Sequence, residues 1–247
     1  MRRPIIAGNW KLNKTIVEAI DLASKIKASV GNVSDVEIVV CPAFVAIDAV
    51  SQTLTDSTIG VGAQDMYWKD SGAFTGEVSA PMIRGAGASY VIIGHSERRQ
   101  YFGETDETVN KKLMTALSHG LVPIVCIGET LEERESDKTF DVIKTQIKGA
   151  LKDISESDLE KIIIAYEPVW AIGTGKTATP EQAQEVHAFI RKHLPSTISK
   201  KIRILYGGSV NPSNIKELMK KEDIDGGLIG GAALKVEDFE KLVKFKE

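Results

Sequence analysis

Glu167 closes the apolar run Ile162-Ile163-Ile164-Ala165-Tyr166 and is followed at once by Pro168. A carboxylate held stiffly beside an apolar wall is a usable base at neutral pH, and excluding water raises its basicity. His95 stands between Gly94 and Ser96-Glu97, where Ser96 reads as the N-cap of a helix. The positive end of a helix disfavours imidazolium, so a ring placed there stays neutral and can donate a hydrogen bond to a carbonyl oxygen. Lys11, two residues after Asn9, follows the first short apolar run and offers a fixed positive charge to an anionic substrate. Glu97 is a candidate partner for that ammonium, and Asn9 a candidate to orient either. Taken singly, such residues are ordinarily a solvated carboxylate, a core or surface imidazole and a surface lysine. Their shared position just past strand-like runs is what points to chemistry.

Glycines follow the last two such runs: Gly207-Gly208-Ser209 and Gly230-Gly231. They fit tight turns, and they equally fit exposed backbone N–H groups that bind phosphate. Residues 168–177 contain Pro168, Val169, Trp170, Ala171, Ile172, Gly173, Thr174, Gly175 and Lys176. Gly175-Lys176-Thr177 resembles the tail of a P-loop, but Trp170 stands where that motif needs its first glycine. Gly173-x-Gly175-x-x-Ala178 resembles a dinucleotide fingerprint, but no Asp or Glu occurs between Pro195 and Tyr206, where the ribose-binding acid belongs. The remaining reading is a lid with a rigid entrance, glycines within, and Trp170 and Ile172 as apolar cover. Cys126 lies inside an apolar run and reads as a buried, supporting side chain rather than a nucleophile. His119, His187 and His193 have no metal-ligand spacing, and no HExxH is present.

The elements that position these residues are eight short β-branched runs: Pro4–Gly8, Val36–Cys41, Ile59–Ala63, Tyr90–Ile93, Val122–Ile127, Ile162–Tyr166, Ile202–Tyr206 and Gly227–Ile229. Most are continuously apolar, as in strands covered on both faces. Helical spacing appears between them, at Ile16, Ile20, Ala23 and Ile26, and at Val142, Ile143, Ile147 and Leu151. Thr179-Pro180-Glu181-Gln182 is a helix start, and Asn211-Pro212 reads as another. Alternation of strand and helix predicts parallel strands with right-handed crossovers. Eight units of about 31 residues suit a closed (β/α)8 barrel forming one domain over 1–247. An open doubly wound sheet is the alternative. Only closure gathers the strand ends, and with them Glu167, His95 and Lys11, at one face.

Composition narrows the partners. With 31 basic and 34 acidic residues the formal charge is −3. No general electrostatic attraction to nucleic acid or to an anionic membrane follows. Cys41 and Cys126 form no framework, which suits a reducing, cytoplasmic setting. The longest apolar run, Ile38 to Ile47, contains Pro42 and is too short to span a bilayer.

Five segments together resemble the triosephosphate isomerase family: Ala7-Gly8-Asn9-Trp10-Lys11, Gly94-His95-Ser96-Glu97-Arg98-Arg99, Ala165 to Gly175, Tyr206-Gly207-Gly208-Ser209-Val210 and Gly230-Gly231-Ala232. The resemblance runs from Pro4 to about Phe239. Ala43 departs from a proline common in the family, and Ala232-Ala233 from Ala-Ser; neither is a catalytic position. The resemblance implies interconversion of dihydroxyacetone phosphate and D-glyceraldehyde 3-phosphate, in glycolysis and gluconeogenesis, with no cofactor and no metal. It implies that Glu167 removes a proton, that neutral His95 serves the enediol(ate) oxygens, and that Lys11 and Asn9 stabilise the anion. By the same resemblance Gly173, Ser209, Gly230 and Gly231 hold the phosphate under a lid at 168–177. This family is a standard case of the carboxylate and neutral-imidazole pair and of the lid. The resemblance also implies a homodimer in which the 64–77 loop, Thr75 foremost, reaches the partner's site near Lys11 and His95.

Overall fold

The computed structural model describes residues 2–172 and 177–247. Eight parallel strands form a closed barrel: β1 (Ile5–Asn9), β2 (Glu37–Cys41), β3 (Ile59–Ala63), β4 (Tyr90–Ile93), β5 (Val122–Ile127), β6 (Ile163–Tyr166), β7 (Arg203–Tyr206) and β8 (Gly226–Ile229). Closure is visible at Ile5, which pairs with Glu37 of β2 on one side and Gly226 of β8 on the other. The open sheet is thereby excluded. Each strand lies within a residue of the apolar run that predicts it.

The continuous hydrophobicity of the strands has a direct structural cause. Alternate side chains face two separate apolar layers. Ile5, Ala7, Val39, Cys41, Ile124, Cys126, Ile163, Ala165 and Leu205 fill the barrel interior. Their neighbours Ile6, Ile38, Val40, Val125, Ile164 and Ile204 pack outward with helix residues such as Leu22, Ile26, Ile143 and Ile190.

Helix starts follow local chemistry. Thr179 accepts a hydrogen bond from Gln182 N–H and donates its own N–H to Gln182 Oε1, so Pro180–His193 begins where Thr-Pro-Glu-Gln predicts. Asn211-Pro212 does not start a helix. The Asn211 side chain accepts from Ser213 N–H in a turn, and the helix begins later, at Ile215–Met219. An asparagine that bonds its own turn competes with helix initiation.

At the N-terminal rim of the barrel, charged residues neutralise one another. Glu37 accepts from Arg203 at 2.7 Å and from the Tyr90 hydroxyl at 2.8 Å. Asp225 accepts from Arg2 Nε at 2.5 Å, Arg191 Nη2 at 2.8 Å and the backbone N–H of Ile204 at 2.9 Å.

Candidate active site

Strand alternation aims two of the candidate residues. Asn9 continues the inward parity of Ile5 and Ala7, and Glu167 that of Ile163 and Ala165. Both emerge above small alanines at the C-terminal mouth. His95 gets there differently. Gly94 has φ +74°, a left-handed backbone that breaks the alternation after β4. The result is a cleft of about 420 Å³ lined by Asn9, Lys11, His95, Glu167, Ile172, Ser209, Gly230 and Gly231 among others. Ser96, Glu97, Val169 and Trp170 line an adjoining chamber that shares Glu167 and Ile172 with it. Cys126 is fully buried below, its thiol pushed well up by loss of solvent and by the nearby Glu167 charge. Thr75 is exposed on the long connection after β3, outside this cleft. Gly173, Thr174, Gly175 and Lys176 lie outside the described residues.

Glu167 and His95 form a buried pair. Their exposures are 2% and 5%. His95 Nε2 is 2.9 Å from Glu167 Oε1, and Glu167 Oε2 accepts from Ser96 N–H at 2.8 Å. The N-cap of the helix Ser96–Phe102 is His95, not Ser96: its Nδ1 accepts from Glu97 N–H at 3.2 Å. Ser96 is the first helical residue, and its free N–H is what the carboxylate takes. An Nδ1 that accepts leaves the ring proton on Nε2, directed at Glu167. Burial raises the Glu167 carboxyl pKa, but the imidazole, the Ser96 N–H and the Lys11 charge outweigh it, and the net direction is down. Burial lowers the His95 pKa, the Glu167 carboxylate raises it more, and the net is up. That rise comes chiefly from the contact with Glu167, with a smaller part from Glu97. A ligand oxygen that replaces the carboxylate leaves burial and the helix N-terminus, both of which favour the neutral ring.

Lys11 is held in a strained backbone, with φ 52°. Its N–H donates to Asn9 Oδ1 at 3.0 Å, and its ammonium donates to Glu97 Oε1 at 2.6 Å. Gln64 Nε2 donates to both the Lys11 and Cys41 carbonyls, each at 2.9 Å. Gln64 belongs to no motif in the sequence. Its signal is position alone, the first residue after β3.

The second unanticipated residue is Glu129, fully buried just past β5. It accepts from Trp170 Nε1 at 2.9 Å, the Tyr166 hydroxyl at 3.1 Å and Arg134 Nη1 at 3.1 Å. The Arg134 guanidinium also lies 5.0 Å from the Trp170 ring centre. Together they anchor the short 3-10 turn Val169–Ala171 that follows Pro168. Gly207 has a packing reason: a Cβ there would lie 2.9 Å from Glu167 Cγ, so only glycine leaves that side chain in place.

Chemically, the cleft offers a desolvated carboxylate, an Nε2–H donor, an ammonium and glycine backbone at its far end. That set suits proton transfer next to a carbonyl in an anionic molecule. A family model described as triosephosphate isomerase matches residues 4–246. The curated triosephosphate isomerase of Endomicrobium trichonymphae is 57% identical over 250 residues, covering all of both chains. Those of Geobacter metallireducens and Trichlorobacter lovleyi are 56% and 57% identical, again over the full length of each. A match of this extent, over a closed eight-stranded barrel, means that the chain belongs to the triosephosphate isomerase family.

Proposed function

We propose that Glu167, His95, Lys11 and Asn9 carry the family's reaction in this chain. That reaction interconverts dihydroxyacetone phosphate and D-glyceraldehyde 3-phosphate, and the chain is an isomerase of these triose phosphates. Glu167 takes a proton from the carbon beside the carbonyl. His95 Nε2–H donates to the oxygen on which charge develops and moves a proton between the two oxygens. The Lys11 ammonium, held by Glu97 and Asn9, stabilises the anion. The backbone of Gly230 and Gly231, with Ser209 and Gly173, receives the phosphate.

The observation that carries this reading is the shared hydrogen-bond set of Glu167. Its carboxylate is stabilised by His95 and Ser96. A substrate oxygen that captures the His95 proton donor strips the carboxylate of one partner in a buried place, which raises its basicity when it must act. A positioned base contributes typically about 10²–10⁴-fold. One aimed donor to a developing oxyanion is worth roughly 3–4 kcal/mol, so neither suffices alone. A lid over residues 168–177 keeps the enediolate dry and suppresses loss of its phosphate.

The reading extends to assembly, organisation and place. Leu12, Phe44, Val45, Phe74, Met82, Tyr101 and Phe102 are all exposed, and all lie in connections that follow β1 to β4. That grouping supports a two-fold homodimer with Thr75 presented to the partner. The chain is taken as one domain over 1–247. Two free, buried cysteines fit a cytoplasmic location. Among the described residues, no helix is long and apolar enough to cross a membrane.

The test is a coupled assay starting from D-glyceraldehyde 3-phosphate, run beside Glu167→Gln. The expected result is rapid turnover that Glu167→Gln nearly abolishes, with inorganic phosphate still bound. Equal loss of turnover and phosphate binding would make Glu167 structural. Sedimentation of the purified chain at the mass of one protomer would remove the homodimer.

A further inference from the structure

We infer that Lys235 is an electrostatic capture residue for the phosphate end of the substrate; the inference rests on the triose phosphate reading above. The chain carries a formal charge of −3, so at long range it repels a phosphate dianion. Attraction has to come from the mouth of the cleft itself. Among the described residues, the charged side chains that line the cleft are Lys11, Glu167, Lys235 and Asp238. Of the two cations, Lys11 is engaged by Glu97 at 2.6 Å, which cancels much of its outward field. Lys235 is exposed, and its ammonium has no ion pair or hydrogen bond among the described residues. It therefore keeps its whole field for an approaching anion.

Chain order places that charge at the right end of the cleft. Lys235 follows the 3-10 turn Gly231–Leu234 directly, so it lies on the same connection as Gly230 and Gly231, proposed above to receive the phosphate. The next element is the helix Val236–Val243, in whose first turn Asp238 sits with a charge of opposite sign on the same cleft. Lys235 and Asp238 thus oppose one another at the rim. Lys235 acts by field and not by contact with the reacting atoms, so its effect is on capture and not on the chemical step. A solvent-exposed charge is screened over about 10 Å at about 0.1 M salt, which separates a field from a packing contact.

The experiment measures kcat/KM for D-glyceraldehyde 3-phosphate and the dissociation constant of inorganic phosphate, at low and high ionic strength. The variants are Lys235→Gln, Lys235→Arg and Asp238→Asn, with Lys192→Gln, an exposed lysine outside the cleft, as a net-charge control. At about 10 mM salt Lys235→Gln lowers kcat/KM and weakens phosphate binding about threefold, and at about 0.5 M the difference vanishes. Its kcat stays unchanged, Lys235→Arg behaves as the native chain, and Asp238→Asn shifts kcat/KM the other way by about twofold. No loss at low salt, a loss that persists at high salt, or an equal loss in Lys192→Gln would each overturn the inference. If the native chain does not turn over the triose phosphate, the isomerase reading fails, while phosphate binding still decides whether Lys235 attracts anions.

Discussion

The two ends of the barrel are built from the same residue types and behave in opposite ways. At the N-terminal rim Asp225 is shared by Arg2, Arg191 and a backbone N–H, and Glu37 by Arg203 and Tyr90. Opposite charges there are matched, and hydrogen bonds consume the acceptors. At the C-terminal mouth Glu167 is more deeply buried yet has only the His95 ring and one N–H as donors, while Lys11 sits in a strained backbone. Polar capacity that is fully consumed stabilises a fold. Capacity held in reserve, at a cost in strain and desolvation, is available to a ligand. The difference between stability and function in this molecule is one of remaining valence, not of residue type.

Substitutions at each end are expected to separate along that line. The largest effect is that of Glu167→Gln, with kcat falling by about 10³–10⁴-fold in steady-state assays. Its midpoint of urea unfolding stays level or falls slightly, because His95, the Ser96 N–H and Lys11 outweigh the desolvation of the charge that is removed. A large loss of stability would show that the mouth is built like the rim. In the native chain kcat/KM declines on the acid side from the imidazole range or above, because His95, lowered by burial but raised overall by Glu167, takes up a proton before the downshifted Glu167 carboxylate does. Next is Arg191→Met at the rim. It takes from Asp223 and Asp225 the guanidinium that meets them at 2.6 and 2.8 Å, leaving Gln184 on the first and Arg2 on the second. The expected loss is about 2–3 kcal/mol of stability with kcat unchanged, by urea unfolding and assay of the folded fraction.

His187 connects the two ends. It is fully buried, with Nδ1 3.1 Å from the Asp223 carbonyl near the rim and its ring against Tyr166 and Tyr206 below the mouth. Burial pushes its pKa from 6.5 to about 4. The unfolded chain therefore takes up this proton first as pH falls. Stability from the neutral ring is complete above about 6.5 and is lost progressively towards pH 4, by about 3 kcal/mol. Unfolding of the native chain between pH 7 and 4.5 should show that slope and His187→Gln should lack it; parallel slopes would place the acid sensitivity elsewhere. The smallest effect is that of Gln64→Leu. Losing the hold on the Lys11 carbonyl costs about 1–2 kcal/mol in kcat/KM, with little change in stability. An unchanged kcat/KM would mean that the strained Lys11 needs no help from Gln64.

Much of this was legible in the residues. Apolar runs at regular spacing mark all eight strands because both of their faces are buried, and burial on two faces leaves a continuous signal. Glu167, His95 and Lys11 stand out because each directly follows a strand, and in a parallel barrel those ends meet. The Thr179 cap is local chemistry between neighbours in sequence, and so it too is readable. Local competition defeats the reading at two places. Asn211 satisfies its own turn and delays the helix, and His95 takes the cap assigned to Ser96 by folding its own Nδ1 back onto Glu97 N–H.

What tertiary structure alone decided is which polar groups are left unsatisfied. The sequence by itself determined a chain of repeated strand–helix units with reactive side chains at strand ends, because hydrophobic period and turn chemistry act over a few residues. It could not show that Gln64 holds Lys11 across 53 positions, that Glu129 anchors Trp170 across 41, or that Ser96 lends its amide to Glu167 across 71. These contacts exist only once the ring closes, since hydrogen bonds act over about 3 Å and nothing in the spacing of residues along a chain encodes which distant groups come that near.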